Sequence, residues 1–169
     1  MKINLLRILL VILLLGTCYI IFGFSSQDGE ESGGISQEVT SFILEKSNTY
    51  KNLDESKQEE VFTRTEKIIR KIAHFSIYAL VGFLLMALAS TFKLKEKNRF
   101  LISLFLGIIY AISDEIHQLF SPGRSAQITD VYIDTLGVLL GILMIILIIK
   151  VYQKYKDNTA KICYENITK

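Results

Sequence analysis

Apolar residues are concentrated in four long blocks, at 5–24, 72–92, 100–120 and 131–149, with polar sequence between them. Each block is close to the ~20 residues that a helix needs to cross a hydrocarbon core of about 30 Å. Too little polar sequence remains to cover four such helices in water, so the bilayer must be their solvent. Within lipid a single segment satisfies its own backbone hydrogen bonds only as a helix. The expected class is therefore all-α: a polytopic bundle of four transmembrane helices with an outer amphipathic connector at 25–71. The membrane domain is expected over 5–150 and a cytoplasmic tail over 151–169.

Lys2 and Arg7 lie ahead of the first block's run Leu9-Leu10-Val11-Ile12-Leu13-Leu14-Leu15-Gly16, which invites comparison with a signal peptide. Its apolar run is longer than a usual signal core, and Thr17 suits a lipoprotein cleavage site poorly, so an uncleaved helix is expected. Between 25 and 71, Gly29, Gly33 and Gly34 loosen the chain, and Val39, Phe42 and Ile43 suggest a short amphipathic turn. Ser56 and Glu59 form a candidate capping box for a helix that carries Val61, Phe62, Ile68 and Ile69 and runs straight into the second block.

Composition sharpens this picture at two points. Hydrophobic residues make up 50% of the 169-residue chain while 21% are charged, so the charge is segregated from the blocks. The net charge of +2 and the lack of an arginine-rich strip exclude a nucleic-acid partner. Cys18 and Cys163 lie in different environments without metal spacing, which argues against a disulfide or a zinc site. Orientation follows from Lys93, Lys95, Lys97 and Arg99 after the second block, against Arg124 alone after the third. Both termini are thus expected in the cytoplasm of a multi-pass cell-membrane protein. Arg64, Lys67, Arg70 and Lys71 dissent, although acidic residues outnumber basic ones ten to seven over 25–71.

The charges that do enter the blocks are the informative ones, since one near mid-bilayer costs roughly 2.5 to 3.5 kcal/mol on insertion scales. Arg70, His74 and Tyr78 recur at spacings of four, with Lys71 beside them. Tyr110, Asp114, His117 and Ser121 recur at four, three and four, with Glu115 and Gln118 adjoining. Asp130 and Asp134 lead into Gly137 and Gly141 on one stripe. At ~1.5 Å of rise per residue, Asp114 stands about 22 Å above Arg99, Asp134 about 24 Å above Lys150, and His74 about 28 Å above Lys93. Three helices therefore bring acids and a histidine to one outer level. Gly137 and Gly141, with Ser103, Gly107 and Ala111 on the third block, permit the close backbone approach that this convergence needs.

His74, Asp114, Glu115 and His117 are the candidate catalytic residues, because imidazole and partly buried carboxylates make general acid/base pairs. Ser26, Gln27, Arg70, Lys71, Tyr78, Gln118, Arg124, Asp130 and Asp134 are the candidate substrate-binding residues, with Arg124 suited to clamping a phosphate or carboxylate. An ion-paired network that merely makes the bundle tolerable in lipid is the competing reading. Two histidines with several carboxylates can ligate zinc or manganese, but Glu115 and His117 point to different helix faces and no HExxH motif is present, so no metal or cofactor is expected.

Phe24-Ser25-Ser26-Gln27, Arg70-Lys71 with His74 and Tyr78, Ser113-Asp114-Glu115 with His117-Gln118, Pro122-Gly123-Arg124, and Asp130 with Asp134 and Gly137 appear in this order at helix ends. With these blocks the chain, from about residue 10 to 149, resembles the VanZ-like membrane proteins. The resemblance implies a bacterial cell-envelope protein linked to resistance to teicoplanin-type glycopeptide antibiotics or to envelope homeostasis. Its partners would be membrane lipids and a lipid-linked or cell-wall-related ligand at the outer face; nothing in the pattern specifies an oligomer. Two other readings stay open: a non-enzymatic accessory protein that binds an anionic headgroup, and a small proton-coupled transporter.

Overall fold

The computed structural model describes residues 2–25, 33–120 and 127–167, and all six elements among them are helices. They are α1 Lys2–Ser25, α2 Gly33–Leu44, α3 Asn48–Lys51, α4 Glu55–Ser90, α5 Glu96–Gln118 and α6 Ile128–Ile167. Four of them, α1, α4, α5 and α6, are long and apolar enough to cross a membrane. Residues 26–32 and 121–126 lie outside the described set, and with them the candidate residues Ser26, Gln27 and Arg124.

The last part of the connector, from Glu55, and the second apolar block form one helix of 36 residues, α4. Its first turn differs from the expected capping box: Asp54 is the N-cap, in extended conformation, so Ser56 already lies inside the helix. Asp54 instead holds Lys57 at 3.2 Å, an exposed pair one turn on. At the other end of the bundle the last apolar block continues past Lys150 as helix to Ile167, since no glycine or proline interrupts 151–167.

Direction along the bundle follows from the ties between helices. Lys71 of α4 pairs with Asp130 at the start of α6, while farther along Gly141 lies against Ala79 and Phe83, so these two helices run the same way. α1 and α5 run opposite to them: Arg7 near the start of α1 donates to Thr91 at the end of α4, at 3.0 Å to Oγ1 and 2.5 Å to the carbonyl. Glu96 at the start of α5 meets Lys150 of α6 at 3.3 Å.

α4 and α6 form the most intimate pair, and small residues are the reason. A Cβ added at Gly82 would run into the carbonyl of Val138, and one at Gly141 into the carbonyl of Ala79. Such contact suits lipid, where burying apolar surface no longer drives helices together and close van der Waals packing must do so. Tyr78, Val81, Met86, Ala111, Val138 and Ile142, each at most 1% exposed, fill the seam that α5 closes. The outward faces carry Leu5, Ile8, Leu101, Phe105, Leu143 and Leu147, all exposed in the isolated chain and chemically matched to acyl chains.

α2 leans on the N-terminal part of α4 through Ser36, whose hydroxyl donates to Glu66 at 3.1 Å, and through buried Thr40 and Leu44. Ile35, Val39, Phe42 and Ile43 point away from α4 and are exposed. The amphipathic turn expected there therefore turns its apolar side outward, as a helix at a membrane surface does.

Candidate functional site

The polar residues of the spans meet in two tiers. At the rim Lys71 and Asp130 pair at 2.7 Å with both side chains about a third or more exposed, at 42% and 34%. A solvated pair of this kind contributes no more than about 1 kcal/mol. One turn deeper on α6, Asp134 is 1% exposed and its Oδ1 stands 3.9 Å from Nδ1 of His74 on α4. One turn is what separates a screened ion pair from a carboxylate sealed inside the bundle.

Asp114 of α5, 4% exposed, faces the same interior. Its Oδ2 accepts from the Tyr78 hydroxyl at 3.0 Å and from the Gln118 amide at 3.2 Å. Tyr78 lies one turn below His74, and Gln118 one turn beyond Asp114, so helical spacing delivers both donors to a single oxygen. The same Gln118 amide reaches the hydroxyl of Ser25 at 3.4 Å, which brings the end of α1 to the network. Donor atoms of His74, Asp114 and Asp134 all lie within 4.8 Å of one another, near enough to share one small ligand or ion. Four helices thus supply one polar layer.

Not every candidate joins it. Glu115 is buried, and its Oε1 accepts from the backbone amide of Gln127 at 2.5 Å, anchoring the entry to α6. His117 turns toward α1 and stacks on Phe22, with ring centroids 4.2 Å apart and planes at 18°. Three residues advance a helix by about 300°, so His117 sits some 60° round from Asp114, and at that angle the end of α1 meets it. Arg70 is half-buried one turn outward of His74. Ser113 donates to the Tyr110 carbonyl on its own helix and is exposed, which removes it as a nucleophile for this layer. Tyr110 donates to the Cys18 carbonyl at 2.8 Å and packs its ring 6.0 Å from that of Tyr78, tying α1 to the site without entering it.

Two participants escaped the sequence reading as site residues. Ser25 was visible only as part of a helix-end motif, yet it is fully buried against Gln118. The amide of Gln127 carries no side-chain signal at all, since any residue but proline offers that donor.

Chemically, the layer combines two buried carboxylates, an imidazole with 26% of its side chain exposed, a phenol and a primary amide. The imidazole forms its accessible edge, and the tyrosine and glutamine fix the orientation of one carboxylate. Such a set can hold a cation, orient the hydroxyls of a ligand or exchange a proton through His74.

A family model described as VanZ/LLP1 matches residues 10–150, a stretch that takes in α1 from residue 10 on, α4, α5 and the apolar part of α6 together with every residue of the layer. No curated relative and no solved structure matches the chain.

Proposed function

The chain belongs to the VanZ/LLP1 family, and on that premise we propose that it is a cell-envelope protein whose buried polar layer binds, and acts on, a lipid-linked or cell-wall-related substrate from the outer face. Protection against teicoplanin-type glycopeptides, or upkeep of the envelope, is the process it would serve. One observation carries the reading: Asp114 and Asp134 are almost wholly buried, come from different spans and approach His74 in one cluster of donor atoms. An apolar bundle would avoid the cost of two such groups, so they are retained for a task.

His74 would serve as the general acid/base, because it alone of the three reaches both the interior and the rim. Asp134 would hold its ring, and Asp114, oriented by Tyr78 and Gln118, would receive a hydroxyl or amide of the ligand. Lys71 and the nearby Arg70 would draw in an anionic headgroup. The same groups without a proton-transfer step would make an accessory headgroup-binding protein.

Comparing lipid and cell-wall precursor pools in cells with and without the protein tests the proposal. At least one lipid-linked species is expected to change in amount, and the change to disappear in His74→Gln at unchanged membrane abundance. Identical pools in all three strains would refute it. The orientation it requires has its own check: reporter domains fused after Lys97 and after Gly123 are expected on opposite sides, the first in the cytoplasm.

A further inference from the structure

From the convergence of His74, Asp114 and Asp134 we infer a binding site for one divalent transition-metal ion, zinc or manganese. Each residue comes from a different helix, α4, α5 and α6, and their donor atoms lie within 4.8 Å of one another. Two ligands held at ~2.0 to 2.1 Å from an ion stand roughly 3.3 to 4 Å apart, so the trio needs to close by about 1 Å to grip it. His74 and Asp134 are already at 3.9 Å.

A second observation points the same way. Oδ1 of Asp134 is sealed from solvent and accepts no hydrogen bond from any described residue, although the side chain is only 2% exposed and faces the other two donors. Among the described residues, no lysine or arginine forms an ion pair with Asp114 or Asp134; Lys71 is engaged by Asp130 at the rim. Among the described residues the two carboxylates face one imidazole and no cation paired with either of them, and a divalent ion would supply the compensating charge.

Donor chemistry selects the class. One imidazole nitrogen and two carboxylate oxygens, without thiolate, suit zinc or manganese better than the softer ions. Three protein ligands leave a position open, as in metal sites that bind water or substrate rather than only brace a fold. Here that position would face the partly exposed His74 side. Tyr78 and Gln118, both bonded to Oδ2 of Asp114, would orient that carboxylate from behind. Spacing along one helix carries no local metal motif here, because no two of the ligands share a helix.

The inference deepens the proposed function and rests on that reading only for the ligand: with an ion bound, His74 and Asp134 would serve as its ligands in place of an acid/base and the carboxylate holding its ring, and the ion would attract the phosphate or carboxylate of an anionic ligand. Full-length protein in detergent, stripped with chelator and titrated with zinc and separately with manganese, provides the test. About one ion per chain is expected, with affinity falling roughly tenfold or more in Asp134→Asn and in His74→Gln and staying near wild type in His117→Phe. Gel filtration and circular dichroism identify any variant that fails to fold; the half-buried His74 change keeps the test decisive if Asp134→Asn does fail. No binding by the wild type, binding unaffected by both ligand changes, or equal loss in His117→Phe would overturn the site. Absence of metal together with altered precursor pools would remove this inference and leave the proposed function standing. Metal held by these residues with unaltered pools would do the reverse.

Discussion

Gly141→Val is expected to prevent α4 and α6 from packing, leaving little folded protein after solubilisation, whereas Gly16→Val is expected to behave as wild type. The contrast comes from what each new side chain meets. At Gly141 even a Cβ runs into the Ala79 carbonyl and crowds the amide of Phe83, which are backbone atoms that no rotamer change can move. At Gly16 nothing lies within 4 Å, so the added methyls enter lipid. Overpacking a core ordinarily costs about 1 to 3 kcal/mol, and a collision with backbone stands at or above the top of that range. Forcing the helices apart would also open the seam filled by Val138 and Ile142, both fully buried, and withdraw Asp134 from His74. Thermal stability followed by gel filtration of the solubilised protein gives the readout; a Gly141→Val chain as stable as Gly16→Val would refute this account of the pair.

The same seam shows how far the sequence could be read. The stripe of Gly137 and Gly141, four residues apart and below two aspartates, announces a close helix contact, because small residues at that interval are what membrane helices use to approach. Its partner was less legible. Ser103, Gly107 and Ala111 on α5 present a similar stripe, yet Gly141 meets Ala79 and Phe83 on α4. Spacing along one helix says which face is thin and not which neighbour fills the gap. The four spans were legible for a stronger reason, since length and apolarity answer directly to bilayer thickness.

Within the site, His74, Asp114 and Asp134 were legible as one level because rise per residue is fixed, so counting from the basic boundary residues measures depth. Azimuth is not measured that way. His117 shares the depth of Asp114 but faces Phe22, and Glu115 spends one oxygen on the amide of Gln127. Which of several polar residues at one depth face inward depends on the rotation of each helix, and that is set by the whole seam. Tyr78, expected from its spacing as a substrate contact, is at 0% exposure fully buried within the layer.

That position sets the second large effect. Asp114→Leu is expected to abolish the envelope phenotype and to lower stability, because it removes the acceptor of the Tyr78 hydroxyl and one acceptor of the Gln118 amide. A buried donor deprived of its partner costs about 1 to 3 kcal/mol, which alone would cut the folded fraction of a marginal protein. Asp114→Asn separates the two consequences: it keeps an acceptor oxygen for Tyr78 and Gln118 while deleting the charge. Its abundance in the membrane is expected to remain within about twofold of wild type, with activity reduced roughly tenfold or more, as when a charged ligand contact is lost. A Tyr78→Phe, Asp114→Leu pair adds the energetic control. Removing the hydroxyl relieves the orphaned donor, so the double variant is expected to be more stable than Asp114→Leu alone, a non-additivity that only direct contact produces. If Asp114→Asn kept full activity at normal abundance, the carboxylate would be a structural acceptor and nothing more. If instead it lost abundance and activity in the same proportion, the buried charge would belong to the fold, with the bundle's assembly as its task.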